Sequence, residues 1–277
     1  MRKNNNKIFK EIISIHGIPR SGTSWLGQIF DSHPSVRYKF QPLFSDRFKD
    51  RINIRSTENE IYKYYNELFH TDDEFLDQVQ NRKKNIYPIF KKKLKRPNYL
   101  VTKMVRYHYL IPHLLDKIEN IFIVSIIRNP CACLSSWQKA PKEFKKEWDF
   151  NAEWEFAQSY NRFRPEEYYG FHRWKEFAKL CITMEKLHKN KFFLLQYEDL
   201  VKNPMKQIKS LFEFCNLDIS EQTTDFIQDS ISINNNETYS VYKYRKNTKE
   251  WQNQLDEMII NKVISDLSNT EFEVFLK

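Results

Sequence analysis

The residues best suited to chemistry fall in one short loop, Gly17-Ile18-Pro19-Arg20-Ser21-Gly22-Thr23-Ser24, which uses two of the chain's four glycines within six positions. Glycine permits positive φ and close backbone approach. A loop of N–H groups leading into a helix N-terminus binds an oxyanion without a metal, and Arg20 adds a planar, permanently charged fork. The frame is G-x-x-x-x-G, yet Thr23 stands where an ATP-binding loop carries its lysine, with Ser24 at the hydroxyl position. A second cluster, Arg128-Asn129-Pro130 followed by Ser135 and Ser136, offers another guanidinium and a hydroxyl. Together they describe a site for a ligand with more than one anionic group.

Such residues need elements to position them. Glu11 to His16 reads as a strand running into the glycine loop, and Thr23 to Phe30 as a helix with apolar Trp25, Leu26, Ile29 and Phe30 on one face. Further strands are expected at Tyr99–Val105, Ile121–Ile127 and Lys191–Gln196, each short, apolar and rich in β-branched or aromatic residues. Near-continuous apolar strands separated by helical stretches imply a parallel sheet covered on both faces. Ligands bind such sheets at the strands' carboxyl ends. Helical patterns run over 58–68, 74–82, 153–163, 168–188, 204–215 and 250–267. The expected fold is α/β: a single P-loop-NTPase-like domain spanning 1–277, its central parallel sheet flanked by helices, with residues 1–8 frayed.

Composition narrows the partners. Lys and Arg number 45 against 36 Asp and Glu, a net charge of +9, which favours an anionic ligand. The run Lys91-Lys92-Lys93-Leu94-Lys95-Arg96 reads as a solvated loop, so nucleic acid is not expected. The longest apolar run, 121–127, is far short of the ~20 residues that span a bilayer. With no apolar stretch of signal-peptide length near the start, a cytoplasmic protein is expected. Cys131, Cys133, Cys181 and Cys215 form neither a disulfide framework nor a zinc pattern, so buried thiols and no metal are expected.

Three segments carry a family resemblance: PRSGTSW (19–25), RNPCACLSS (128–136) and YEDLVKNP (197–204). In this order they resemble PAPS-dependent sulfotransferases, and the chain is similar to that family from end to end. The resemblance implies that Arg20, Ser21, Gly22, Thr23 and Ser24 grip the 5′-phosphosulfate of 3′-phosphoadenosine 5′-phosphosulfate (PAPS), with Trp25 near the adenine. It implies that Arg128 and Ser136 hold the 3′-phosphate and that Tyr197 lines the nucleotide pocket. Arg245 and Lys246, ahead of Trp251, resemble the Arg-Lys-Gly loop that closes over the 3′-phosphate.

Sulfuryl transfer requires a base for the acceptor's proton and cations for the charge on the departing phosphate. The family's catalytic His falls on Val105, and the Glu of its glycan and bacterial relatives falls on Gln41; neither side chain is a base. His108 is then the candidate base and Lys103 the sulfuryl-stabilising cation, with Arg20 assisting, His16 weaker, and Asp46 and Glu198 as carboxylate fallbacks. The expected activity is transfer from PAPS to a hydroxyl, or less readily an amine, of a carbohydrate, a lipid-linked sugar or another small acceptor. The alternatives are a P-loop kinase and a PAPS-binding protein without catalysis.

Overall fold

In the computed structural model, which describes residues 9–244 and 248–277, five parallel strands form one sheet in the order β2-β3-β1-β4-β5. They are β1 (Glu11–His16), β2 (Val36–Phe40), β3 (Tyr99–Met104), β4 (Ile121–Ile127) and β5 (Phe192–Gln196). The first strand is central, pairing Ile13 with Val101 of β3 on one side and with Phe122 of β4 on the other. Alternation along each strand divides the core. Ile12, Leu100 and Ile123 face the helices Glu58–His70 and Gly170–Leu187, while Ile13, Val101 and Val124 face Thr23–Asp31 and Pro204–Phe214. Burying each such aliphatic side chain is worth about 1.5–3 kcal/mol.

Local chemistry sets the boundaries. Thr57 and Glu60 close a reciprocal cap at the start of Glu58–His70: the Thr57 N–H donates to Glu60 Oε2 at 2.7 Å, and the Glu60 N–H to Thr57 Oγ1 at 3.3 Å. Asn129 caps the helix Pro130–Gln138, its Oδ1 accepting from the Cys131 and Ala132 N–H groups at 2.9 and 3.3 Å. That cap fixes Arg128 at the end of β4.

The four strands expected from the sequence are present, and β2 is an addition. It lies at the sheet edge and carries Arg37 and Lys39, charges that disguise a strand. Lys39 is nevertheless buried, donating to Asp77 Oδ1 at 2.6 Å and to the Thr71 carbonyl at 2.5 Å. Holding that ammonium turns Asp73–Asp77 into a bend, so the helix expected over 74–82 shrinks to Val79–Lys83. The stretch 153–163 breaks at Ala157, whose φ is 49°, into Phe150–Glu153 and Gln158–Asn161. Likewise 250–267 becomes a 3-10 turn, Glu250–Asn253, and a helix, Glu257–Leu267, with Asp256 as its cap. All four cysteines are free and buried.

Candidate active site

A cavity of about 1400 Å³ opens at the carboxyl ends of the strands. Every strand delivers to its wall: the glycine loop after β1, Gln41 after β2, Lys103 and Val105 from β3, Arg128 after β4 and Tyr197 after β5.

The glycine loop is tightly packed. A Cβ on Gly17 would stand 2.5 Å from Ser21 Oγ and 2.9 Å from the Ile126 carbonyl. Gly22, at φ +96°, presses on the Tyr197 ring, and a Cβ there would lie 2.6 Å from it. Gly22 caps Thr23–Asp31 with no side chain, and that helix has no acidic residue in its first turn. Its orphan N–H groups and positive dipole end therefore face the cavity beside Thr23 and Ser24. Ser24 and Tyr87 line the cavity together. Trp25 donates its indole N–H to Ser230 Oγ at 2.8 Å and meets the Tyr197 ring edge-on, with centroids 6.3 Å apart.

Two guanidinium groups stand over this loop. Arg20, itself at φ 70°, donates from Nε to Ser136 Oγ at 3.0 Å and from Nη1 to Glu143 Oε1 at 3.4 Å. Arg128 donates from Nη1 to the Arg20 carbonyl at 3.1 Å and lies 4.6 Å from the Tyr197 ring centre. Its Nε is buried with no partner among the described residues, a charged donor at the cavity wall with capacity for an anion. Ser136 thus meets Arg20 directly rather than Arg128, although all three line the cavity.

The other end of the cavity is assembled from distant segments. Lys103 lies in a nearly closed setting, its Nζ 4.4 Å from the Phe40 ring. Burial pulls its ammonium down to about 7, with Glu143 opposing and Arg106 and Arg20 reinforcing the shift. Arg106 is buried against Glu167, with Nε donating to Oε2 at 2.6 Å and Nη2 to the Tyr160 hydroxyl at 3.1 Å. The Phe44 ring covers the guanidinium at 3.8 Å. Tyr169, kept protonated by burial, donates to Glu143 Oε2 at 3.1 Å.

Several expectations are corrected. His108 is fully buried, not a cavity residue: it packs against Tyr168 and Phe177, and its Nδ1 lies 3.0 Å from His16 Nδ1. A chain of hydrogen bonds continues through His16 to Ser14 and Thr102. Burial holds both imidazoles neutral, His16 down at about 3 and His108 well below its ordinary value. These histidines belong to the core. Ser21 is also misplaced as a ligand, because its hydroxyl turns inward and donates to the Ile18 carbonyl at 2.8 Å, shaping the loop. Glu198 accepts the Asn129 N–H at 3.0 Å and braces the turn beside Arg128, and Asp46 is exposed away from the cavity wall. Arg245 and Lys246 lie outside the described residues. Gln41 and Val105 do line the cavity, Gln41 at φ 42° with Oε1 buried and without a partner among the described residues.

Sequence reasoning missed Glu143 and Tyr87, and it left the aromatic stretch 148–174, which holds Tyr169, open between acceptor-pocket lining and core. Glu143 sits in a charge-rich stretch, KAPKEFKKEWD, where no spacing distinguishes it from its solvated neighbours. The aromatic stretch 148–174 divides: Trp154 and Trp174 are core, whereas Tyr160 and Tyr169 reach the cavity. Among the described residues no group of three or more His, Cys, Asp or Glu gathers as a metal site, and no helix is long and apolar enough to cross a membrane.

Residues 13–221 match a family model described as "Sulfotransferase family". No curated protein matches the sequence. Among solved structures, mouse sulfotransferase SULT7A1 complexed with PAP is similar over 96% of this chain and 87% of its own, with TM-score 0.54 and 13% identity. Retinol dehydratase in complex with androsterone and inactive cofactor PAP is similar over 95% and 82%, with TM-score 0.53 and 16% identity. Its complex with retinol and PAP gives 95%, 83%, 0.51 and 17%. At these identities the likeness is one of fold.

Proposed function

Because the chain belongs to the sulfotransferase family, we propose that it transfers the sulfuryl group of PAPS to a hydroxyl, or less readily an amine, of a carbohydrate or lipid-linked sugar. The observation that carries the donor half is Arg128: a guanidinium on the cavity wall whose buried Nε lacks a partner among the described residues, one residue contact from Arg20 and the glycine loop. Two guanidinium groups flanking a helix N-terminus suit a ligand with separate anionic groups, as in 3′,5′-adenosine bisphosphate (PAP), the nucleotide bound by the similar folds. Trp25 and Tyr197 offer aromatic wall for its base. Gly22, with no Cβ, lets the Tyr197 ring pack directly against the loop beside that wall.

For the acceptor half, the cavity lining includes the amides of Gln41, Gln78 and Asn81 together with the clustered rings of Phe40, Phe44 and Phe75. Hydrogen-bonding groups together with apolar faces match the two kinds of surface a sugar ring presents.

Thermal unfolding with 3′,5′-adenosine bisphosphate, alongside Mg·ATP, tests the donor. A ligand at about 100 times its dissociation constant adds about 2.7 kcal/mol to stability, so the bisphosphate raises the midpoint and Mg·ATP does little. The reverse result would return the chain to the kinase reading. Labelled PAPS offered with oligosaccharides and with simple alcohols then tests the acceptor, and transfer confined to the non-sugar alcohols would remove the carbohydrate assignment.

A further inference from the structure

Sulfuryl transfer needs a group to receive the acceptor's proton, and the residues expected to do so are unsuited to it. Val105 presents an alkyl group to the cavity, Gln41 an amide, and His108 is shut in the core. Among the described residues the carboxylates on the cavity wall are Glu74, Glu143, Glu237 and Glu250. Glu143 is singled out by its partners. Its Oε1 lies 3.4 Å from Arg20 Nη1 in the glycine loop, and its Oε2 accepts from the Tyr169 hydroxyl at 3.1 Å. Its charge also acts on Lys103. Glu143 therefore stands where the donor loop meets the acceptor end, with one oxygen oriented by Tyr169 and the other in a long contact to Arg20.

We propose that Glu143 is the general base of the reaction, an inference that rests on the PAPS reading above. The acceptor O–H proton passes to Glu143 Oε1 as the acceptor oxygen forms its bond to sulfur. The bond from sulfur to the bridging oxygen breaks, and its electron pair remains on the 5′-phosphate of the departing bisphosphate. Arg20 links this base to the donor. An anion that engages the Arg20 guanidinium competes with Glu143 for it and frees Oε1, while Tyr169 keeps the carboxylate aimed. Lys103 lines the same cavity, its ammonium pulled down to about 7 by burial with the Glu143 charge opposing that shift.

Glu143→Gln preserves size and the Tyr169 contact but removes the basic oxygen. Release of sulfate from labelled PAPS, with water as acceptor, is expected to fall about 100-fold or more, and the remaining rate to lose the parent's decline on acidification. The dissociation constant of 3′,5′-adenosine bisphosphate, read by calorimetry, is expected to stay within about threefold of the parent's, and Glu143→Asp to restore part of the rate. An unchanged rate and pH profile in Glu143→Gln would overturn the proposal. So would a rate loss matched by an equal loss of bisphosphate affinity, which would make Glu143 only a tether for Arg20. If the unmodified chain does not bind the bisphosphate, the donor reading falls, and with it the premise of this inference.

Discussion

The two ends of the cavity are built on opposite plans. The donor end draws on short contiguous segments, the glycine loop and the Arg128 turn, each placed by the strand that precedes it. Backbone groups and a helix terminus make up much of that wall, so few residue types are admissible there. The acceptor end gathers single side chains from widely separated places: Phe40 and Gln41, Lys103 and Arg106, Glu143, Tyr160 and Tyr169. Side-chain contacts rather than a backbone motif hold them, among them the buried ion pair of Arg106 with Glu167. A fixed ligand is met by fixed geometry; a changeable one is met by side chains on segments that can vary without disturbing the sheet.

The largest expected effect tests what holds the acceptor end. Glu167→Ala leaves the Arg106 charge buried without its carboxylate, and breaking such a pair costs about 3–5 kcal/mol. Urea unfolding should show this loss. A cost under about 1 kcal/mol, the value of an exposed pair, would mean that the acceptor end does not depend on it.

The next effect concerns the histidines beneath that end. His16 is held neutral down to about 3 in the fold, against 6.5 for a free imidazole. Below pH 6.5 the unfolded chain binds protons that the fold refuses. Stability is therefore full above that pH and falls as the pH drops toward 3. His16 alone accounts for about 2 kcal/mol by pH 5, with His108 acting in the same direction. Denaturant titrations at pH 7.5 and 5.0 check this, and equal midpoints would contradict the buried, neutral pair.

At the donor end, Arg128→Ala should weaken 3′,5′-adenosine bisphosphate by about 10- to 100-fold, the worth of a charge-assisted contact. Adenosine 5′-phosphosulfate, which lacks the 3′-phosphate, should be affected much less. Equal losses for both ligands in calorimetry would erase the 3′-phosphate assignment. The smallest effect is Ser230→Ala, which removes the acceptor for the Trp25 indole N–H and costs about 1 kcal/mol of stability. An unchanged unfolding midpoint would show that this tether does not anchor the aromatic wall.

The same contrast explains what could be read in advance. Rare glycines spaced around Arg20, and an Arg-Asn-Pro turn after an apolar strand, are local signals, so the loop, the helix after it and the parallel sheet were legible. Ser21 was misread because a loop motif does not say which hydroxyl turns inward to satisfy the loop's own carbonyl. His108 was misread because closeness to a strand end does not say which side of the chain faces the core. Glu143 carries no local mark at all; its role arises where Arg20, Tyr169 and Lys103 converge from separate elements. Lys93, in the basic run read as a solvated loop, is instead tied down, donating to Asp31 Oδ1 at 3.0 Å and to the Val36 carbonyl at 2.6 Å.

The central place of β1 has a consequence for how the chain is made. Its backbone, along Ile12, Ile13 and Ile15, pairs with β3 on one side and β4 on the other, and the partner of Ile12 in β4 is Ile121. At about 5–20 residues per second, the ribosome takes roughly 5–20 s to supply that second partner. Through this interval an aliphatic strand with at least one open edge, and two until β3 is made, trails from the nascent chain. Chaperone capture during synthesis, or loss to aggregation when synthesis outruns it, is therefore decided at the first strand of the sheet rather than at its rims.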